Sequence, residues 1–333
     1  MKRCGQNSES GAALISVLCL IFTAGILVTA SMAISKAGSF NVAAHVRLQR
    51  SMLVGEGVAN RVQWLIAADR ELYTSTERLG ETVYDDYDSD RYIADLVPHV
   101  IEYYGEEVLF TISDARSGVD LNSGAYAANL RNLAVNRDDE SEWTDALDVL
   151  QSQIKDYIDS DDDTSDDGME DPDYDERKMT PLPRNGAPQF REEMLYLPGF
   201  RDIFETDRHG RLSAIRLIPP TNTVSLSGTP AFLTATPEML KSYCGLEDEE
   251  VTEVTDAIKA WIKDRTPISE SVDPLMLSRL YRLSWYESGN YTVTVEAPPE
   301  SKRPFKRLTF SFPAYSIAGP ADKKVRYLEW MFY

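Results

Sequence analysis

Histidine and cysteine are scarce in this sequence, with 3 of each among 333 residues. His45, His99 and His209 stand far apart, and no HExxH or mixed His/Cys spacing accompanies any of them. That pattern excludes a recognisable zinc centre and leaves a histidine-based triad few members. Cys4 precedes the apolar segment near the amino terminus and Cys19 lies inside it, so only Cys244 remains beyond it. No intramolecular disulfide can form in that remaining part, and an oxidising compartment is permitted but not required. No partner base marks Cys244 as a nucleophile, and it reads as a core residue. Positive charge is also short: 34 Lys and Arg face 54 Asp and Glu, for a net charge of -20. Such a chain repels a phosphate backbone, and nucleic acid is excluded as a partner class. Gly55 and Gly57 lack the third glycine of a dinucleotide loop, because Asn60 fills its place and no strand precedes them. With no catalytic motif in view the chain reads as a non-enzyme. A membrane-anchored hydrolase with paired carboxylates is the enzyme class hardest to exclude, since in an acidic chain only geometry selects the pair.

What the sequence does have begins at its amino terminus. Residues 12–35 contain no charge. A helix of that length, rising about 1.5 Å per residue, crosses a hydrocarbon core of roughly 30 Å. Lys2 and Arg3 precede it, and a basic flank held in the cytoplasm sends the rest of the chain outward. The expected placement is a single pass through the inner membrane with the carboxy-terminal part in the periplasm. A cleaved secretory signal is the rival reading, with Ser35 to Ala37 as its weak cleavage site. Against it stand the polar residues Gln6 to Ser10 between the basic pair and the apolar run, and the length of that run. Beyond the span, Val42, Val46, Leu53, Val58, Val62, Leu65 and Ile66 recur at near-helical spacing, which predicts that the helix continues to about Glu71.

Residues 100–104 and 108–112 read as a hairpin around Gly105, and residues 279–286, 291–296, 307–312 and 325–332 read as further strands. Between the two sets, residues 113–277 are mainly helical in pattern and form an insertion. A weak internal repeat lies within it: Ile154-Lys155-Asp156-Tyr157-Ile158-Asp159 matches Ile258-Lys259-Ala260-Trp261-Ile262-Lys263, each downstream of an element opening at Leu121-Asn122-Ser123 or Leu226-Ser227-Gly228. An acidic loop covers residues 159–175, for which divalent cations are the first candidate ligand. Asp159, Asp161, Asp163, Asp167 and Glu170 fall at places one, three, five, nine and twelve of an EF-hand-like loop, although Thr164 holds the place where glycine makes the sharp turn. The alternative is a solvated, self-repelling loop.

The junction Ser10-Gly11, followed by Ala12-Ala13-Leu14-Ile15-Ser16-Val17-Leu18, resembles the class III signal of type IV prepilins and type II secretion pseudopilins. The resemblance implies cleavage by a prepilin peptidase between Gly11 and Ala12, methylation of the new terminus, and retention of the helix as an anchor. Most of that family carries a glutamate where Ser16 stands here. Its absence is a feature of the K-type minor pseudopilins, and a carboxylate in hydrocarbon is costly without a neighbour's amine to pair with. The ordered series Ser117-Gly118-Val119-Asp120-Leu121-Asn122, Asp156-Tyr157-Ile158-Asp159-Ser160-Asp161, Gly168-Met169-Glu170, and Glu192-Glu193-Met194-Leu195 to Pro198-Gly199 resembles the same family over nearly the whole chain.

That resemblance implies an α+β fold. Its expected parts are a leader at 1–11, a transmembrane helix at 12–35, a spine helix and first strands at 36–112, an inserted helical domain at 113–277, SAM-like and in two repeats, and the last strands of a pilin-like antiparallel sheet at 278–333. It also implies calcium, bound by the helical domain through acidic loop residues, with Asp159, Asp161, Glu170, Asp171 and Asp173 as the preferred ligands. The implied function is a non-enzymatic tip subunit of a type II secretion pseudopilus. Its expected partners are I- and J-type minor pseudopilins, the prepilin peptidase, the inner-membrane assembly platform and, further, secreted cargo. A minor pilin of a type IV pilus with a calcium-dependent binding domain is the alternative.

Overall fold

A computed structural model describes residues 8–73, 78–81, 91–120, 130–131, 139–179, 181–186, 188, 191–204, 206, 215–216, 229–296, 307–313, 327 and 329–332. The first element, α1 (Ser8–Tyr73), is a single unbroken helix. Its stretch from residue 13 to residue 50 is exposed throughout, and it is long and apolar enough to cross a membrane. Gly55 and Gly57, weighed above as a dinucleotide loop, lie inside it, as does His45.

The carboxy-terminal third of α1 meets a sheet. Strands β1 (His99–Tyr103) and β2 (Glu106–Asp114) form the expected hairpin. Tyr104 and Gly105 both take positive φ, 53° and 73°, as a two-residue turn matched to strand twist requires. After the insertion come β5 (Asn290–Glu296), β6 (Arg307–Pro313) and β7 (Glu329–Phe332), giving one antiparallel sheet in the order β1-β2-β5-β6-β7. Period-two alternation turns Val108, Phe110 and Ile112 of β2, Tyr291, Val293 and Val295 of β5, and Leu308, Phe310 and Phe312 of β6 onto one face. There they bury Val54, Val58, Ala59, Val62 and Ile66, a stripe of α1 at helical spacing. Burying side chains of this size is worth roughly 1.5–3 kcal/mol each. The opposite face is polar yet buried, with Thr292 hydrogen-bonded to Ser311 at 2.7 Å.

The insertion between β2 and β5 contains β3 (Val119–Asp120), α2 (Glu140–Ile158), α3 (Asp171–Glu176), a 3-10 turn (Arg191–Tyr196), α4 (Phe200–Ile203), β4 (Ile215–Arg216, parallel to β3), α5 (Pro237–Cys244), α6 (Asp248–Asp264), α7 (Ile268–Ser271) and α8 (Pro274–Leu280). It has two apolar cores. One gathers Leu147, Leu150, Ile154 and Tyr157 of α2 with Met169, Tyr174, Met194 and Phe200. The other gathers Cys244, Val254, Ala257 and Trp261 with Leu79 and Ile93, which belong to the connection after α1. Tyr157 and Trp261, matched in the sequence repeat, are thus each fully buried in a separate core. The openings of both repeats, at residues 121–123 and 226–228, lie outside the described residues, as does His209. His99 begins β1, its ring stacked on Phe110 and tilted against Tyr92.

One expected strand is absent. Residues 279–286 are the end of α8 followed by an irregular turn, whose β-type pairing is a single bridge from Ser284 to Ala231, while Leu280, Leu283 and Trp285 are buried in the second core. Asp273 caps α8 by accepting from the Leu275 N–H at 2.8 Å, and Pro274 occupies its first turn. This local start signal overrides the β-type composition of the residues that follow. Of the strand expected at 325–332, residues 329–332 are observed, and residues 325, 326 and 328 lie outside the described set.

The two crossings between sheet and insertion are tied by buried acids. Asp114, ending β2, accepts from the Ser288 N–H and Oγ at 2.7 Å each and from the Arg116 N–H at 2.8 Å. Glu287 accepts from the Ala94 N–H at 2.9 Å and the Tyr291 hydroxyl at 2.8 Å, and faces Arg70 at 3.5 Å. Burial pushes Glu287 up from 4.5 to about 7, with Asp114 adding to the rise and Arg70 opposing it. Because the folded form holds this proton more tightly than the unfolded one, stability falls as pH rises from about 4.5 to about 7 and levels above. The displacement sets an upper bound of roughly 3 kcal/mol. Urea melts of Glu287→Gln and the native chain are expected to show the variant gaining on the native chain between pH 5 and pH 8. A constant difference across that range rejects the assignment.

Candidate metal centre

The acidic loop grows from the last turn of α2. That helix is amphipathic, and its core side pulls Leu147, Leu150, Ile154 and Tyr157 inward. Asp156 lies between two of these and is fully buried. Asp159 caps the helix in an extended conformation, so the chain turns away at this point. It then curls back. The Asp163 N–H donates to Asp161 Oδ1 at 3.1 Å, the Ser165 N–H to Asp156 Oδ2 at 3.0 Å, and the Gly168 N–H to the Ser165 carbonyl at 2.9 Å. Gly168 presses on Asp156 so closely that a Cβ there would run into its Oδ2. Met169 and Tyr174, both in the adjoining core, pin the far end of the loop.

This path brings carboxylate oxygens of Asp159, Asp161 and Glu170 within 4.8 Å of one another. Glu170 is 1% exposed, and neither of its oxygens has a hydrogen-bond partner. Asp156 Oδ1 and Asp159 Oδ1 are likewise buried without a partner. Uncompensated buried carboxylates are expensive, and the negative pole of the α2 dipole adds to the repulsion. Burial, then Asp156 and Asp159, pushes Glu170 from 4.5 up to about 7. Asp159 is raised by burial first and then by Asp161 and Asp156.

A hard cation relieves every one of these strains. Oxygens on opposite sides of a calcium ion stand about 5 Å apart, given contacts of roughly 2.3–2.6 Å, so the 4.8 Å spread fits one ion. The donors are all oxygen and sit on a loop, which suits calcium better than zinc, with its nitrogen and sulfur ligands, or magnesium, with its strict octahedron.

Of the ligands expected from sequence, the fold brings together Asp159, Asp161 and Glu170. Asp171 is exposed on the first turn of α3, and Asp173 accepts the Glu170 N–H at 3.1 Å as part of that helix start. Asp163 and Asp167 are exposed. Asp156, which the sequence reading passed over, stands outside that group of three but is fully buried and adds negative charge beside Glu170. It lies three before Asp159, hence on the same side of α2, and that spacing is its signal. In the matching stretch of α6, Ala260 and Lys263 replace Asp156 and Asp159, so the second unit lacks the acids. Gly11 and Ala12 lie near the start of α1.

No protein-family model matches the chain, and no curated protein does. Among solved structures the fold is similar to a chain of the crystal structure of the GspK-GspI-GspJ complex from the type 2 secretion system of enterotoxigenic Escherichia coli. The TM-score is 0.51 at 12% identity, over 87% of this chain and 99% of that one. The fold is therefore the pilin-like α+β arrangement of a long apolar amino-terminal helix on an antiparallel sheet. The uncovered remainder is too short to hold the insertion, so the insertion shares in the likeness.

Proposed function

We propose that the protein is a non-enzymatic minor pseudopilin of the K type, anchored in the inner membrane and acting at the tip of a type II secretion pseudopilus. The observation that carries this reading is the fold, an apolar helix, a sheet interrupted after β2 and a bulky helical insertion, together with its likeness over 87% of the chain to a chain of the GspK-GspI-GspJ complex. The anchor and spine favour assembly alongside other subunits of the same build. Beyond the membrane span, Leu53, Trp64 and Leu72 remain 66%, 65% and 74% exposed on α1, an apolar display that a neighbouring helix would cover. I- and J-type subunits are the partners this favours, with initiation of assembly on the membrane platform and contact with cargo as the tasks. The insertion is too large for repeated stacking, which suits a single copy at the end of a fibre.

In this reading Asp159, Asp161 and Glu170 hold a calcium ion, and buried Asp156 adds negative charge beside them. The ion supplies positive charge and no bond chemistry, and the residues order the acidic loop around it.

The test is intact-mass and amino-terminal analysis of membrane-extracted protein made with and without a prepilin peptidase, alongside Gly11→Ala. Peptidase-dependent cleavage leaving a methylated Ala12, blocked in the variant, is expected. An uncut terminus, or one near Ala37, removes the anchor on which the fibre role depends.

A further inference from the structure

The last turn of α2 faces the cation site on one side and a second buried polar group on the other. Tyr157, next to Asp156, donates its hydroxyl to Glu193 Oε2 at 3.1 Å. Glu193 is held in the fork of Arg184, whose Nε and Nη2 donate to its two oxygens at 2.6 and 2.8 Å. Glu193 belongs to the 3-10 turn. Two residues earlier in that turn, Arg191 donates to Glu329 Oε2 on β7 at 3.0 Å, and the Ser311 hydroxyl donates to the same oxygen at 3.2 Å. Ser311 and Glu329 are register partners, and they lie on the face away from α1, since Phe310 and Phe312 occupy the other. Both Arg191 and Glu329 are largely buried, with side-chain exposures of 16% and 15%. Hydrogen bonds at the two ends of one short turn thus tie it to the last turn of α2 on one side and to the back of the sheet on the other.

We infer that the 3-10 turn Arg191–Tyr196 is a coupling element through which cation binding at the acidic loop fixes the first unit of the insertion against β7. The inference rests on the calcium reading above. Without the ion, repulsion among Asp156, Asp159, Asp161 and Glu170 is relieved by opening the loop and the last turn of α2. Tyr157 lies in that turn, so its hydroxyl is drawn off Glu193. A single turn cannot absorb the displacement internally, and Arg191 moves with it. With the ion bound the repulsion is cancelled and both ends of the network are held.

Hydrogen exchange of the full-length chain in detergent, in calcium and in chelator, reads both ends at once. Calcium is expected to slow exchange at 159–170, at 191–196 and at 329–332, the last by a factor within the range of about 5 to 150 usual for coupled sites. Tyr157→Phe keeps calcium binding, measured by calorimetry with the metal alone, and keeps protection at 159–170, but loses the response at 329–332. Arg191→Gln retains the response at 191–196 and loses it at β7. Protection confined to 159–170 in the native chain overturns the coupling and leaves the calcium reading standing. A full β7 response in both variants also overturns it. Failure of calcium to bind at all removes both.

Discussion

Arg91→Met is expected to destabilise the protein by about 3–5 kcal/mol, the usual result of stripping one partner from a buried ion pair. Arg91 grips Asp69 of α1 with two parallel hydrogen bonds, Nε to Oδ2 at 2.9 Å and Nη2 to Oδ1 at 3.0 Å, with side-chain exposures of 6% and 3%. The Tyr92 N–H adds a third bond to Oδ2 at 2.8 Å, and the guanidinium covers the ring of Tyr73. This set joins the end of the spine to the segment that returns towards β1. It therefore holds the sheet and the second core of the insertion in register with the helix. In the variant Asp69 stays buried without its counter-charge. Thermal unfolding in detergent should fall by roughly 6–20 °C, at about 2–4 °C per kcal/mol for a fold of this size. The double variant Asp69→Leu with Arg91→Met should recover much of the loss, because replacing a whole buried pair by apolar groups is often neutral. An equal loss in the single and double variants would show that the contact with Tyr73, not the charge pair, is what matters.

Withdrawing calcium is expected to lower the unfolding midpoint by roughly 5–11 °C. Ligand at 100 times its dissociation constant stabilises the folded form by about 2.7 kcal/mol, and the same scaling of midpoint to energy applies. Glu170→Gln should shrink that gap by more than half while raising the stability of the calcium-free protein, since the variant removes a buried acid that Asp156, Asp159, Asp162 and Asp161 all repel. Melting curves in calcium and in chelator, for both chains, decide the matter. A gap of the same size in both chains sinks the assignment of Glu170, and no gap in the native chain sinks the site.

The misread strand shows where composition fails. From Arg279 to Trp285 the run is rich in Leu and aromatic residues, yet Leu280, Leu283 and Trp285 are buried in a helical core, not on a sheet. A short run is satisfied equally by either geometry, and the deciding information was the Asp273-Pro274 start just upstream. In the acidic loop the difficulty was different. Dense acids give many plausible ligand sets: spacing singled out Asp159, Asp161, Asp163, Asp167 and Glu170, and the family resemblance added Asp171 and Asp173. What separated them was backbone: the start of α3 took Asp173 as a capping group, and the loop's path brought Asp159, Asp161 and Glu170 together.

The sequence by itself determined the elements that depend on near neighbours along the chain. The uncharged run set the long apolar part of α1, the stripe from Val54 to Ile66 its buried face, the Tyr104-Gly105 turn the first hairpin, and alternation the strands β5 and β6. Only the tertiary structure decided which carboxylates converge, how Leu79 and Ile93 lock the second core to the spine, and that Arg191 and Glu193 lie between the loop and the sheet. Those contacts join residues far apart in sequence, and their geometry follows from how whole elements pack around buried side chains, which no local pattern of residues records.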